Sequence, residues 1–142
     1  MKNLRTLIII LITCAATING YSQETKTQNK MKIVNVKDAK IKETPHKVDV
    51  RPLYNYENAQ VMHITLQPGE SLKPHLTPVD VFFYILEGSP HVMVGEENIQ
   101  VNKDNLVESP KDIVHCLSNK TDKVARILVV KSPRPTTKSK FL

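Results

Sequence analysis

The chain has 142 residues, 20 of them basic and 14 acidic, for a net charge of +6, with only two cysteines. That length fits one domain. The mild, spread-out charge and the seven aromatics, with no basic–aromatic interleaving, exclude a nucleic-acid binder by signature.

The start reads as a targeting segment. "MKNLRTLIIILITCAATINGYSQ" carries Lys2 and Arg5, then an apolar run over residues 7–18, then small Gly20 and Ser22 before Gln23. This predicts a signal peptide over residues 1–22 and an exported protein, periplasmic or secreted. The run is short for a membrane span, so no stable span is expected after processing. Thr13 in front of Cys14 disfavours a lipoprotein cut. Loss of Lys2 and Arg5 from the 20 basic residues leaves 18 against 14 acidic ones. Cys116 is then the one remaining thiol, so no intrachain disulfide forms.

Residues 23–30, "QETKTQNK", are polar and predict a flexible leader. From Met31 short β-rich runs follow: "MKIVNV", "HKVDV", "QVMHITL", "DVFFYIL", "HVMV", "NIQV", "NLVE", "IVHCL" and "ARILVV". Turn chemistry separates them: "QPGE", "EGSP", "GEEN", "NKDN", "SPKD" and "SNKTDK". Short strands at close spacing predict an all-β sandwich or barrel over residues 31–132. Residues 133–142, with "SPRPTTKSKFL" around them, read as a C-terminal arm, loose or draped on a partner subunit.

Alternation assigns faces. In "QVMHITL", Met62, Ile64 and Leu66 share one side, and Val61, His63 and Thr65 the other. In "DVFFYIL", Val81, Phe83 and Ile85 oppose Phe82, Tyr84 and Leu86, and both sides are apolar. A strand apolar on both faces needs a core on one and a second layer or chain on the other, which predicts a homodimer.

Two stretches together resemble the cupin family of small β-barrels. Its first motif runs Gly, five residues, His, one, His, three or four, Glu, six, Gly. Gly69, His75 and Gly88 fall on that spacing, with Thr77 at the second histidine and Val81 at the glutamate. The second motif runs Gly, five, Pro, one, Gly, two, His, three, Asn. Pro110, His115 and Asn119 match it, and Asp104 and Asp112 stand at the glycines. Asp tolerates left-handed backbone better than most residues, so those turns are expected to survive. The resemblance covers roughly residues 58–131 and implies a jelly-roll β-barrel of two packed antiparallel sheets.

The resemblance also implies one metal held by two histidines, the glutamate and the late histidine. Here His75 and His115 remain. Val81 cannot ligate, and Thr77 offers only a neutral hydroxyl. His75 and His115 are expected in one pocket, either as ligands or an acid/base pair, or as hydrogen-bonded pocket residues without metal. His63 and Thr77 are further candidate lining residues. Asp80 or His63 is a candidate third ligand. Asp80 needs a bulge to turn inward, and a half-buried polar role is the plainer reading of His63. His91 reads as exposed, and Cys116 as buried and inert. Glu108 and Gln100 are candidates for the barrel mouth.

Two functions stay open. One is an exported binding module for a small polar ligand, such as a sugar or an organic acid, with a weakened metal site. The other is a metal-dependent enzyme of oxygenase, isomerase or lyase type, using zinc, iron or manganese. A structural dimer is third. No phosphate loop, CxxC pair or nucleophile elbow is present.

Overall fold

The structure is a computed structural model describing residues 30–142; the expected signal peptide and residues 23–29 of the leader lie outside the described residues. Ten strands follow in order: β1 Asp49–Tyr56, β2 Ala59–Leu66, β3 His75–Leu76, β4 Asp80–Glu87, β5 His91–Val94, β6 Glu97–Gln100, β7 Leu106–Ser109, β8 Val114–Ser118, β9 Ala125–Ser132 and β10 Lys140–Phe141. They form two five-stranded sheets with antiparallel pairings, β1-β2-β9-β4-β7 and β10-β3-β8-β5-β6. Among the described residues no helix is long and apolar enough to cross a membrane.

The alternation seen in the sequence places the core. Met62, Ile64 and Leu66 of β2, Val81, Phe83 and Ile85 of β4, and Ala125, Ile127 and Val129 of β9 are buried in one cluster. Val92 of β5 and Leu117 of β8 join it from the second sheet. The two inner faces therefore share one core, as in packed antiparallel sheets. Phe82, Tyr84 and Leu86 lie half-buried on the outer side of β4.

Three turns hold the barrel together. Gly88 has φ +79°, and a Cβ there would stand 2.6 Å from the Val124 carbonyl oxygen, so only glycine fits without backbone movement. Asp104 and Asp112 adopt φ of +68° and +60°, the left-handed conformation expected where they replace glycine. The buried Asn119 amide donates to Leu66 O at 3.0 Å and Lys123 O at 2.7 Å, and its Oδ1 accepts from Thr121 N at 3.1 Å. Asn119 thus satisfies backbone groups of Leu66, Lys123 and Thr121 with a buried side chain.

Two expectations change. "MKIVNV" is not a strand. Residues 31–35 form no element, and a 3-10 turn, Val36–Asp38, starts at the last residue of that run, where Arg51 Nη1 bonds the carbonyls of Val36, Lys37 and Ala39 at 3.1–3.3 Å. The C-terminal arm folds back on its own chain: β10 pairs with β3, Lys140 opposite Leu76 and Phe141 opposite His75.

Candidate functional site

β3 and β8 are paired with His75 directly opposite His115, so both imidazoles leave the sheet on the same inner face. Their Nε2 atoms lie 3.2 Å apart, and the rings meet edge-on with centroids 4.5 Å apart. His75 Nδ1 is 2.9 Å from Lys73 O, and a carbonyl only accepts, so the proton sits on Nδ1. His75 Nε2 then accepts from His115 Nε2–H, and His115 Nδ1 accepts from the Ser109 hydroxyl at 2.8 Å. Ser109 Oγ can donate or accept, so it suits either tautomer of His115.

Thr77 completes this wall. Its Oγ1 lies 3.3 Å from His115 Nε2 and 3.4 Å from Ser139 Oγ. The strand starts around it are tied to the opposite turn: Asp112 N donates to Thr77 O at 2.9 Å, and Lys111 N to Asp80 Oδ1 at 2.8 Å. Phe83 lies beneath His115, edge to face at 5.4 Å.

A third imidazole joins from outside the matched motifs. His46 stands 4.8 Å from His75, centroid to centroid, and its Nδ1 accepts from Lys73 N at 3.0 Å. Phe141 of β10 covers both rings, at 5.3 Å from His46 and 5.6 Å from His75.

Electrostatics keep these rings neutral. Burial, then the neighbouring His75, Lys131 and His46, drives His115 down to about 3. Burial, then His75 and the Lys131 and Lys73 ammoniums, drives His46 down to about 4. Burial also lowers His75, against the opposing bond to Lys73 O. The folded values of His46 and His115 lie below the ordinary 6.5, so an acidified unfolded chain binds protons the folded chain refuses. Stability is full above pH 6.5 and falls as pH drops through about 4, where His46 takes its proton, towards about 3, where His115 does. Denaturant titrations across that window are expected to show this slope, and to show it flattened in a His46→Gln/His115→Gln double variant. An equal slope in that variant would place the proton uptake elsewhere.

The other candidates fall away from this cluster. His63 is buried at 1% exposure but on the outer face of β2, where its Nε2 accepts from Arg126 Nε at 3.2 Å. Asp80 is exposed and spends a carboxylate oxygen on Lys111 N. Neither meets His75 and His115, because strand alternation turns both away and no bulge intervenes at either position; the irregularities lie at Pro52/Tyr54 and Ile85/Glu87. His91 is half-buried rather than exposed, since β5 pairs it with both Gln100 and Ser118. Cys116 is half-buried, donates to Leu72 O at 3.0 Å, and is pushed up by burial. Glu108 and Gln100 are exposed and stand away from the cavity over the histidines.

That cavity has a volume of about 600 Å³. Its floor is apolar, with Met62, Ile64, Phe83 and Val129. His46, Lys131 and the arm residues around Ser139 and Phe141 also line it. The sequence alone does not point to His46, Lys131 or Ser109 as site residues, nor to the place of the expected C-terminal arm at the cavity. For Lys131 a signal existed: it continues the inward series Ala125, Ile127, Val129 in "ARILVVK".

The residues do not fit a full metal site. Among the described residues no three His, Cys, Asp or Glu side chains come together to hold an ion. The glutamate position is Val81, buried in the core. His46 packs beside His75 with its Nδ1 spent on Lys73 N and is not placed to share an ion with the pair, so two imidazoles and a hydroxyl fall short of the three or more protein ligands a zinc or iron site needs.

Comparisons with known proteins agree on the architecture. The cupin domain family model matches residues 62–131. The chain is 33% identical over 72 residues to the tetracenomycin polyketide synthase protein TcmJ of Streptomyces glaucescens, covering 50% of this chain and 48% of that one. It thus spans about half the length of that relative. The crystal structure of TT1209 from Thermus thermophilus shares 30% identity at a TM-score of 0.64, over 74% of this chain and 100% of that one. The polyketide cyclase RemF of Streptomyces resistomycificus shares the fold at a TM-score of 0.69, with 19% identity over 80% of this chain and 86% of that one.

Proposed function

The chain belongs to the cupin family, and from that premise we propose that it is a binding module for a small polar ligand with a weakened metal site. One observation carries this reading. His75 and His115 bond to each other in a cavity with an apolar floor, and among the described residues no third side chain, the nearby His46 included, is placed to hold a metal with them. A cavity of this size with a few convergent polar groups suits a small molecule. His75 and His115 line the cavity, with Thr77 buried behind them, and a ligand polar group that replaces the bond between the two rings would be oriented by those rings. The neutral imidazoles donate or accept but carry no charge at neutral pH.

The second reading, a metal-dependent enzyme of oxygenase, isomerase or lyase type, rests on the 3.2 Å between the two Nε2 atoms. Two Zn–N bonds of about 2.0–2.1 Å at a tetrahedral angle put their nitrogens about 3.3 Å apart.

Metal content of the purified, untagged chain separates the two. The expected result is zinc, iron and manganese far below one equivalent, with no difference in His75→Ala or His115→Ala. Stoichiometric metal in the wild type, lost in both variants, would overturn the binding-module reading.

A further inference from the structure

We propose that the cavity takes a monocarboxylate with an apolar body, its carboxylate held by Lys131 at the barrel mouth and its body laid on Met62, Ile64, Phe83 and Val129. The inference rests on the reading of the barrel as a ligand pocket, and it names the ligand's class.

The strand pattern carries it. Along β9 the inward residues run Ala125, Ile127, Val129 and then Lys131. Along β2 they run Leu66, Ile64, Met62 and then Gln60, which sits directly opposite Lys131. Each strand is apolar inside until its last inward residue, which is polar. The cavity therefore has an apolar depth and a polar collar, and the collar holds a cation.

That cation is unpaired. Among the described residues no carboxylate makes an ion pair with Lys131; the ion pairs present join Arg51 to Asp49, Lys111 to Asp112 and Arg126 to Glu87. The cavity lining holds Lys42, Lys131 and Lys138 against the single carboxylate of Glu43. A half-buried ammonium without a counter-ion is costly, and a carboxylate ligand removes that cost. Burial and Lys42 both lower Lys131, and an anion at the collar opposes both effects.

A carboxylate suits the remaining groups better than a phosphate. The His46, His75 and His115 rings are neutral, so they add hydrogen bonds but not the charge a dianion needs. Four apolar side chains under the collar would strand a compact, wholly polar anion against hydrocarbon. Phe141 supplies an aromatic cover over His46 and His75.

The test is calorimetry on the purified full chain with matched pairs of probes: phenylacetate against phenylacetamide, and hexanoate against hexanamide. Each pair keeps the body and removes the charge. The carboxylates are expected to bind at least about tenfold tighter than the amides. Lys131→Met should erase that difference, and Lys131→Gln, which keeps a polar end, should do the same. Methyl shifts of Met62 and Val129 on binding locate the ligand. Equal binding of amide and carboxylate, with those methyls shifted, would overturn the carboxylate assignment and leave the pocket reading standing. No binding by any probe would also overturn it, and if joined to stoichiometric metal would remove the pocket reading as well. A tenfold preference that persists in both Lys131 variants would overturn the role of Lys131.

Discussion

Phe83→Ala is expected to cost about 3–5 kcal/mol of stability, the range for emptying a buried phenylalanine site. Phe83 is 1% exposed, and β4 holds it between Val129 of β9 and Val107 of β7. The first sheet cannot collapse into the space without breaking two ladders, so little relaxation is available. The melting temperature should fall by roughly 15 °C or more. The same ring also supports His115 at 5.4 Å, so its loss frees the imidazole that Ser109 and His75 hold. Phe83→Leu keeps most of the volume and should cost only about 1 kcal/mol. Denaturant unfolding with unchanged slope would read both. A loss below about 1 kcal/mol for Phe83→Ala would mean the core closes over the gap.

Thr77→His is expected to raise zinc affinity by about 100-fold or more, since it takes the site from two imidazoles to three. Thr77 occupies the position of the family's second histidine, and its hydroxyl already lies 3.3 Å from His115 Nε2. Its backbone is fixed by Asp112 N, so the new side chain starts from a defined place. The larger ring costs about 1–3 kcal/mol in overpacking, because Thr77 is buried. Thr77→Val removes the hydroxyl without adding a ligand and should leave zinc affinity unchanged. The gain should vanish when His75→Ala is added. Equal zinc affinity in Thr77→His and wild type would show that the three side chains do not converge.

The strand faces were legible because each depended on local alternation. Met62, Ile64 and Leu66 share one face in the sequence and in the fold, and His63 takes the opposite face in both, which puts it outside the cavity for which it was a candidate. The left-handed turns at Asp104 and Asp112 were legible from residue type and motif spacing alone. His46 was not. It sits in an irregular stretch before the matched region, next to Lys47 at φ +60°, where no period assigns a face. β10 was illegible for a related reason. Two residues carry no alternation, and their pairing is decided by β3, far away in the sequence. "MKIVNV" misled in the opposite direction. It has strand composition, but no strand pairs with it, and Arg51 holds the chain at and just past its end in a turn through the carbonyls of Val36, Lys37 and Ala39.

The last residue bears on how such a protein is handled. Leu142 N donates to Pro74 O at 3.3 Å, one residue from His75. A polyhistidine purification tag fused after Leu142 would therefore begin at the door of a two-imidazole site that lacks a third ligand. Such a fusion could acquire nickel or zinc between tag and barrel, and a metal assay on it would measure the handle rather than the molecule. A tag at the other end, cleaved before assay, keeps the two apart.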